Sequence, residues 1–380
     1  MKVFCEPCYY AETVYLLHNY MNHISYEREY DRVTHDFGWQ FLERDNHEVM
    51  TLRIHELTRI SREVTEGLDR EQERLRYYFE KLPSLDPKIG CCLAQILLLT
   101  VPLHCCQVDD FARELVRGFS DMMQIGMKIN DVNSMGLIVE QRDIQEEPES
   151  LACQLERLPF TVEAKWIILR ALTDFEAHVR ELTELIRPVA EKLPKAMSKL
   201  IQMNEPLLEE WGAYFETHTV DDFQNEMFNT TFLFAEENVP HEIWLGLWNF
   251  NFLGTWSEWF QDHKPQPVRL AYIGIGISFD FAANRKQKPD EEALCTMLRA
   301  LSGKDKLETL RRCAEQPISA ARLASAMNLN SGTVSRNLYG LFKMGFLETR
   351  GDGERVNYVT RMDSLQHLFG WIMEYVEGRK

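Results

Sequence analysis

Apolar and polar positions follow two different periods along the chain, and the change of period is clearest in the last hundred residues. Leu294, Met297, Leu298 and Leu301 recur at helical spacing. Leu307, Leu310 and Ala314 repeat the pattern after Ser302-Gly303, which predicts two short amphipathic helices. Ser319, following Pro317-Ile318, is placed to cap a third helix with Leu323 and Met327 on one face, and Asn328-Leu329-Asn330 ends it. Asn330 then caps a fourth helix from Ser331 to about Met344, whose apolar stripe is Val334, Leu338, Leu341 and Phe342. Its opposite face carries Gly332, Arg336, Tyr339, Gly340 and Lys343. Two short helices joined by a tight turn, the second apolar inside and basic outside, make a helix-turn-helix pattern. After Gly345, a C-cap candidate, the period becomes two. "FLETR" and "RVNYVTR" flank "GDGE", a hairpin signal with Arg350 and Arg355 on either side of the turn, where two cations suit phosphate contact. A closing helix, "SLQHLFGWIMEYVEG", carries Leu365, Leu368, Phe369, Ile372, Met373 and Val376, a longer stripe than a small domain needs for its own core.

The first 285 residues read as largely helical. "EAKWIILRALTDFEAHVRELTELIRPVAEKL" predicts one long amphipathic helix and "GLDREQERLRYYFEKL" another. "PVRLAYIGIGISFDF", Pro267 to Phe281, has strand alternation, so some sheet is expected within residues 225–281. Trp244, Trp248, Phe252, Trp256 and Trp259 recur at spacings of four and three, which predicts one helical face. Ile89 to Val108 holds no formal charge over about the length of a membrane span. Gln95, Thr100, Pro102, His104 and Gln107 interrupt it, so a buried helix broken near Pro102 is expected instead. The fold class is therefore mainly α: a large, mostly helical N-terminal domain with a small β component, and a C-terminal winged helix-turn-helix. "NRKQKPD", Asn284 to Asp290, is the linker candidate. It separates residues 1–285 from residues 290–380, with a further division near residue 220 left open.

Charge sharpens this division. The chain of 380 residues has 42 basic and 59 acidic residues, a formal net charge of −17. Residues 290–380 hold 13 basic and 12 acidic, leaving 29 and 47 for the rest. Ser319 to Arg361 holds six basic and three acidic. The acidity thus belongs to the large region, which is excluded as a nucleic-acid surface. Nine cysteines, an odd number in a large chain, suit reduced thiols in a cytoplasm and not a disulfide framework. The N-terminus, "MKVFCEPCYYAETVYLL", lacks the basic and apolar stretches of a secretory signal, so none is expected.

The segment "LRALSGKDKLETLRRCAEQPISAARLASAMNLNSGTVSRNLYGLFKMGFLETRGDGERVNYV", Leu298 to Val359, resembles the DNA-binding domain of ArsR-type bacterial transcriptional repressors, with the MarR type as nearest competitor. Its most specific part is "TVSRNLYGLFKMGFLETRGDGERVNY", in which a Thr-Val-Ser-Arg helix, a Leu-x-x-Leu core, a glycine stop and a Gly-Asp-Gly-x-Arg wing follow in order. The resemblance implies that Ser331, Gly332, Thr333, Ser335, Arg336 and Asn337 face the major groove, with Arg350 and Arg355 on the wing. It also implies that the first and last helices of the domain pair across a dimer axis. Two departures stand out. The first helix of the helix-turn-helix, "SAARLASAM", has none of the thiolates of metal-sensing relatives, and on the last helix only Asp363 and His367 stand four apart, too few for a metal site. Gly340 stands where relatives carry a larger apolar residue.

Other candidate chemistry has two readings. Cys5 and Cys8 have metal or redox spacing, and Cys91-Cys92 with His104-Cys105-Cys106 flank the apolar run; they are either core thiols or a metal or thiol sensor. The Trp244–Trp259 face is either core packing or an effector pocket or dimer face. Gly274-Ile275-Gly276 lacks the rest of a dinucleotide fingerprint. No nucleophile elbow, phosphate loop or His-Glu-x-x-His occurs, and paired acids such as Glu146-Glu147 and Asp109-Asp110 suit solvated turns. The expectation is a cytoplasmic, homodimeric transcriptional regulator, a repressor and not an enzyme, with no cofactor or membrane partner. It would bind a double-stranded DNA operator and answer to an unidentified small-molecule or other effector. The alternatives are a winged helix used for protein contact and an enzyme fused to a DNA-binding tail.

Overall fold

The structure, a computed structural model, describes residues 1–30, 47–86, 89–99, 107–133, 136–141, 149–220, 222–223, 230–231, 242–260, 268–277, 291–351 and 356–378. Strand β1 (Lys2–Val3) leads into α1 (Tyr9–Met21), followed by α2 (His47–Val64), α3 (Glu73–Phe79), α4 (Leu93–Ile96) and α5 (Val108–Ile125). A hairpin, β2 (Met127–Asn133) and β3 (Gly136–Gln141), precedes α6 (Leu151–Glu156), α7 (Val162–Thr173), α8 (Phe175–Ala190), α9 (Leu193–Ala196) and α10 (Ser198–Phe215). Then come β4 (Thr230–Thr231), β5 (Glu242–Trp248), β6 (Thr255–Phe260) and β7 (Val268–Gly274). The remainder is α11 (Glu291–Leu301), α12 (Lys304–Glu315), β8 (Ile318–Ser319), α13 (Ala320–Met327), α14 (Ser331–Lys343), β9 (Leu347–Gly351), β10 (Val356–Thr360) and α15 (Met362–Val376). The fold is mainly α with a small sheet component, as the periodicity predicts.

Buried side chains form two large clusters, one drawn from Cys8 to Ile277 and one from Leu294 to Leu368. The first runs across residue 220 without a break: β1 pairs in parallel with β5, and β5 with β7, in a sheet of order β1-β5-β7-β6. The proposed linker at residues 284–290 lies outside the described residues. Every residue of β7 is buried, as expected for a parallel strand covered on both faces. The strand predicted from Pro267 is thus β7, with Pro267 and residues 278–281 outside the described set.

Three expectations need correction. The Trp244–Trp259 segment is not a helix. Trp244 and Trp248 lie on β5, Phe252 in the following turn, and Trp256 and Trp259 on β6. A spacing of four satisfies a strand's period of two as well as a helix's 3.6, so the aromatic pattern alone could not choose. The Asn249-to-Gly254 turn decides for strands, with the Gly254 N–H donating to the Asn251 carbonyl at 2.9 Å. Second, the long helix over residues 163–193 breaks at Asp174 (φ −109, ψ 42) into α7 and α8. The break turns Phe175 inward, where it stacks on Phe119 of α5 at 3.8 Å. Third, the uncharged run is buried from Cys91 to Leu99 but forms a helix only at Leu93–Ile96. Residues 100–106, with Pro102, lie outside the described set. Among the described residues no helix is long and apolar enough to cross a membrane.

Candidate nucleic-acid interface

Helix α14 is closed at both ends by local hydrogen bonds. At its start the Asn330 side chain accepts from the Gly332 N–H at 2.8 Å, satisfying one of the donors a helix leaves free. At its end Gly345 adopts φ 74, the Phe346 N–H donates to the Leu341 carbonyl at 3.0 Å, and the Gly345 N–H donates to that of Phe342 at 2.9 Å. This is a Schellman stop, and the accompanying apolar contact is between Leu341 and Phe346, both fully buried. Helix α13 ends the same way at Asn328 (φ 52), with the Leu329 N–H on the Ala324 carbonyl at 3.1 Å. Ser319 holds the N-cap position of α13, but its hydroxyl makes no cap bond. Its backbone is instead a strand residue, paired with Asn357 of β10.

Val334, Leu338 and Leu341 point into the second core and are 0–1% exposed. That orients the other face of α14 outward. Ser331, Gly332, Ser335, Arg336 and Tyr339 are exposed, and Thr333 and Asn337 are half-buried. The Arg336 guanidinium lies back along its own helix, donating to the Gly332 carbonyl at 3.2 Å. Two exposed side chains join the predicted set. Tyr339 was legible as an outer-face position on helical phase. Arg322 of α13 is exposed too, and neither it nor Arg336 forms an ion pair among the described residues. Arg311 and Arg312 differ: both hold Glu308, whose carboxyl is pulled down to about 2 by them, and Arg311 also holds Glu315.

The hairpin β9–β10 pairs antiparallel from Leu347↔Thr360 to Gly351↔Val356, with Arg350 opposite Asn357. The sheet continues in the order β4-β9-β10-β8, so two residues from the first 285 add to the outer edge of the wing. The side chains of Lys343 and Arg350, and all of Arg355, lie outside the described residues. Gly340 is half-buried, and a Cβ there would meet nothing within 4 Å.

The remaining candidates fall elsewhere. Trp244, Trp248 and Phe252 are buried by their own chain, at 4%, 1% and 5% exposure. Trp248 packs edge-on against Tyr15 at 5.2 Å, and Trp244 against Phe4 at 5.5 Å. The side chains of Trp256 and Trp259 lie outside the described set. Cys91 and Cys92 are core thiols that burial pushes up, Cys91 to about 12. That is opposite to the thiolate that metals and oxidants need. Cys8 is buried and Cys5 exposed, while His104, Cys105, Cys106, Glu146 and Glu147 are outside the described residues. Asp109 and Asp110 stand in the first turn of α5, not in a loop, where acids favour the helix dipole. His367 is exposed beside Trp371, their rings 5.9 Å apart, and the Asp363 side chain is not described. Among the described residues no group of three His, Cys, Asp or Glu could hold a metal.

No protein-family model matches the chain. No curated protein matches it either. Among solved structures it is similar to the homodimeric winged helix-turn-helix DNA-binding domain of a possible ArsR-family transcriptional regulator from Mycobacterium bovis, at 23% identity and a TM-score of 0.20, over 24% of this chain and 89% of that one.

Proposed function

We propose that residues 290–380 bind double-stranded DNA and that the chain is a homodimeric transcriptional regulator acting as a repressor. One observation carries the reading: the exposed face of α14 is polar from its first turn and carries the Arg336 guanidinium in its second, over a buried face that fixes its orientation. Ser331, Gly332, Thr333, Ser335, Arg336 and Asn337 would meet base edges, with Arg336 the principal reader. Lys343, Arg350 and Arg355 would meet phosphates. Residues 1–285 would sense an effector. An effector that prefers one arrangement of the two units would shift the population competent for operator binding. The pairing of β4 with β9 supports such coupling, because it ties backbone of the first 285 residues directly to the wing.

The test is selection of bound DNA from a random pool, followed by titration of Arg336→Ala and Arg355→Ala. Arg336→Ala should cost about 1–3 kcal/mol on the selected site and relax its sequence preference. Arg355→Ala should weaken all DNA alike and reduce the salt slope by about one unit. Failure to enrich any sequence would defeat the proposal, and equal losses from the two variants would defeat the division of roles.

A further inference from the structure

The outer edge of the wing is closed by a strand that the hairpin itself does not supply. Strands β9 and β10 pair with each other from Leu347↔Thr360 to Gly351↔Val356. Strand β4 then adds in parallel to the other edge of β9, over two register pairs only, Thr230↔Thr349 and Thr231↔Arg350. An open sheet edge offers a row of N–H and C=O groups that takes up extended chain within reach. Here that chain is distant in sequence: β5, β6, β7 and helices α11 to α14 all lie between β4 and β9.

The origin of β4 bears on what it can do. It lies in the connection between Phe223, buried in the first core, and Glu242, where β5 begins. Both ends of that connection belong to the large region, so β4 is a place where this region takes hold of the wing. The register sets Thr231 beside Arg350, one of the residues assigned above to phosphate. Neighbouring strands run about 4.8 Å apart, so the backbone of β4 occupies the edge of the strand at that residue. Residues 1–289 carry 29 basic and 47 acidic side chains, a net of −18. Held at the wing, a region of that sign works against the approach of phosphates, which carry the same charge. A pairing of two residues is also short enough to open and close without unfolding the hairpin behind it.

We propose that β4 is an autoinhibitory latch: paired with β9 it holds the acidic region at the wing and keeps DNA away, and its release frees the wing to bind. The inference rests on the DNA-binding reading of residues 290–380 and gives its regulation a place and a sign. A latch closed about 90% of the time lowers the apparent affinity for DNA about tenfold.

The experiment uses the full chain and a mixed-sequence DNA duplex. Thr230→Pro with Thr231→Pro removes both N–H groups of β4 and leaves the β9–β10 ladder untouched. Thr230→Cys with Thr349→Cys, a register pair outside the proposed DNA contacts, locks the latch on oxidation, because paired strand positions lie within reach of a disulfide. Wild type under the same oxidant controls for the native thiols. Before DNA is added, the proline variant should exchange amide hydrogens within residues 349–351 about tenfold faster than wild type. On the duplex it should bind about tenfold more tightly than wild type, and the oxidised cysteine variant about tenfold more weakly, with recovery on reduction. If the proline variant does not fold, the oxidised and reduced cysteine forms decide alone. Unchanged exchange at residues 349–351, or a wild type that binds beside an opened chain that binds no tighter and a lock that changes nothing, would overturn the latch and leave the DNA-binding reading standing. If no form binds duplex, the DNA-binding reading falls and the latch falls with it.

Discussion

The Glu12 carboxylate accepts hydrogen bonds from both the backbone N–H and the side-chain amide of Asn249, each at 2.8 Å, across 237 positions of sequence. A third bond, from the Phe250 N–H at 2.9 Å, completes the contact. Helix α1 thereby satisfies the buried backbone of the turn that leaves β5. Burial dominates the chemistry of the group: it pushes the carboxyl up to about 7, against the downward pull of the bonds from Phe250 and Asn249. Its titratable neighbours Tyr15 and Tyr26 are raised by burial as well and stay neutral over the same range.

The pH dependence follows in sign. The folded carboxyl titrates near 7 and the unfolded one near 4.5, so between these values the folded state holds the extra proton. Its contribution to stability is fully present below about 4.5 and is lost as pH rises through about 7, a fall of roughly 3 kcal/mol. Glu12→Gln cannot ionise and gives up one acceptor, so it should be less stable than wild type at low pH. The deficit should shrink by about 3 kcal/mol by pH 8. Urea unfolding of both proteins across this range measures it; a difference that does not change with pH would show that the Glu12 carboxyl binds its proton equally in the folded and unfolded states and is not raised by burial.

Gly340→Ala should separate folding from function. Glycine inside a helix costs about 1 kcal/mol relative to alanine, and the open space at this position offers no clash to offset the gain. The variant should unfold at higher denaturant by about that amount. If the outer face of α14 lies against DNA, the added methyl should leave operator affinity unchanged or reduce it while stability rises. A destabilised variant would mean that the position is tighter than its surroundings indicate.

Gly246→Ala should do the reverse. Gly246 sits opposite Tyr272 in the β5–β7 register, and a Cβ there would lie 2.3 Å from the Tyr272 ring, itself 3% exposed. Overpacking of this kind costs about 1–3 kcal/mol. Tyr272→Val in the same chain should recover part of the loss, because the two sites share one volume. Additive losses in the double variant would place the strain elsewhere.

These residues also mark how far the fold could be read in advance. The helix-turn-helix and wing were legible because their signals are local: Asn330 caps, Gly345 stops, and the period switches from 3.6 to two at Phe346. The sheet β1-β5-β7-β6 was not, apart from β7, because its partners are distant in sequence. Lys2–Val3 is too short to show a period, and its pairing with Trp244 and Leu245 depends on contacts no window contains. The β2–β3 hairpin was missed for a similar reason. Gly136 holds φ 138 with the Gln95 carbonyl 2.9 Å from where a Cβ would stand, a constraint set by tertiary packing. The polar chain from Glu12 through Asn249 to Asn204 joins three elements, and each residue alone reads as an ordinary surface type.

The last helix carries the most direct test of assembly. On α15 Leu368 is fully buried in the second core, whereas Phe369, Met373 and Val376 are 58%, 58% and 73% exposed. Their spacing of four and three puts them on one face, and Leu298 on the contacting helix α11 is 42% exposed. The closing stripe is therefore split: one edge serves the domain's own core, and the other stays exposed among the described residues. A second copy of the same face would bury it and set two α14 helices at half-sites about ten base pairs apart. Phe369→Glu with Met373→Glu puts charge only on exposed positions, so far-UV circular dichroism and the unfolding midpoint should hold. Sedimentation should then give a dimer for wild type and a monomer for the variant, with operator affinity lost in parallel. If the variant keeps the wild-type mass, the dimer is held by residues 1–285 or does not form, and the apolar edge of α15 has another occupant.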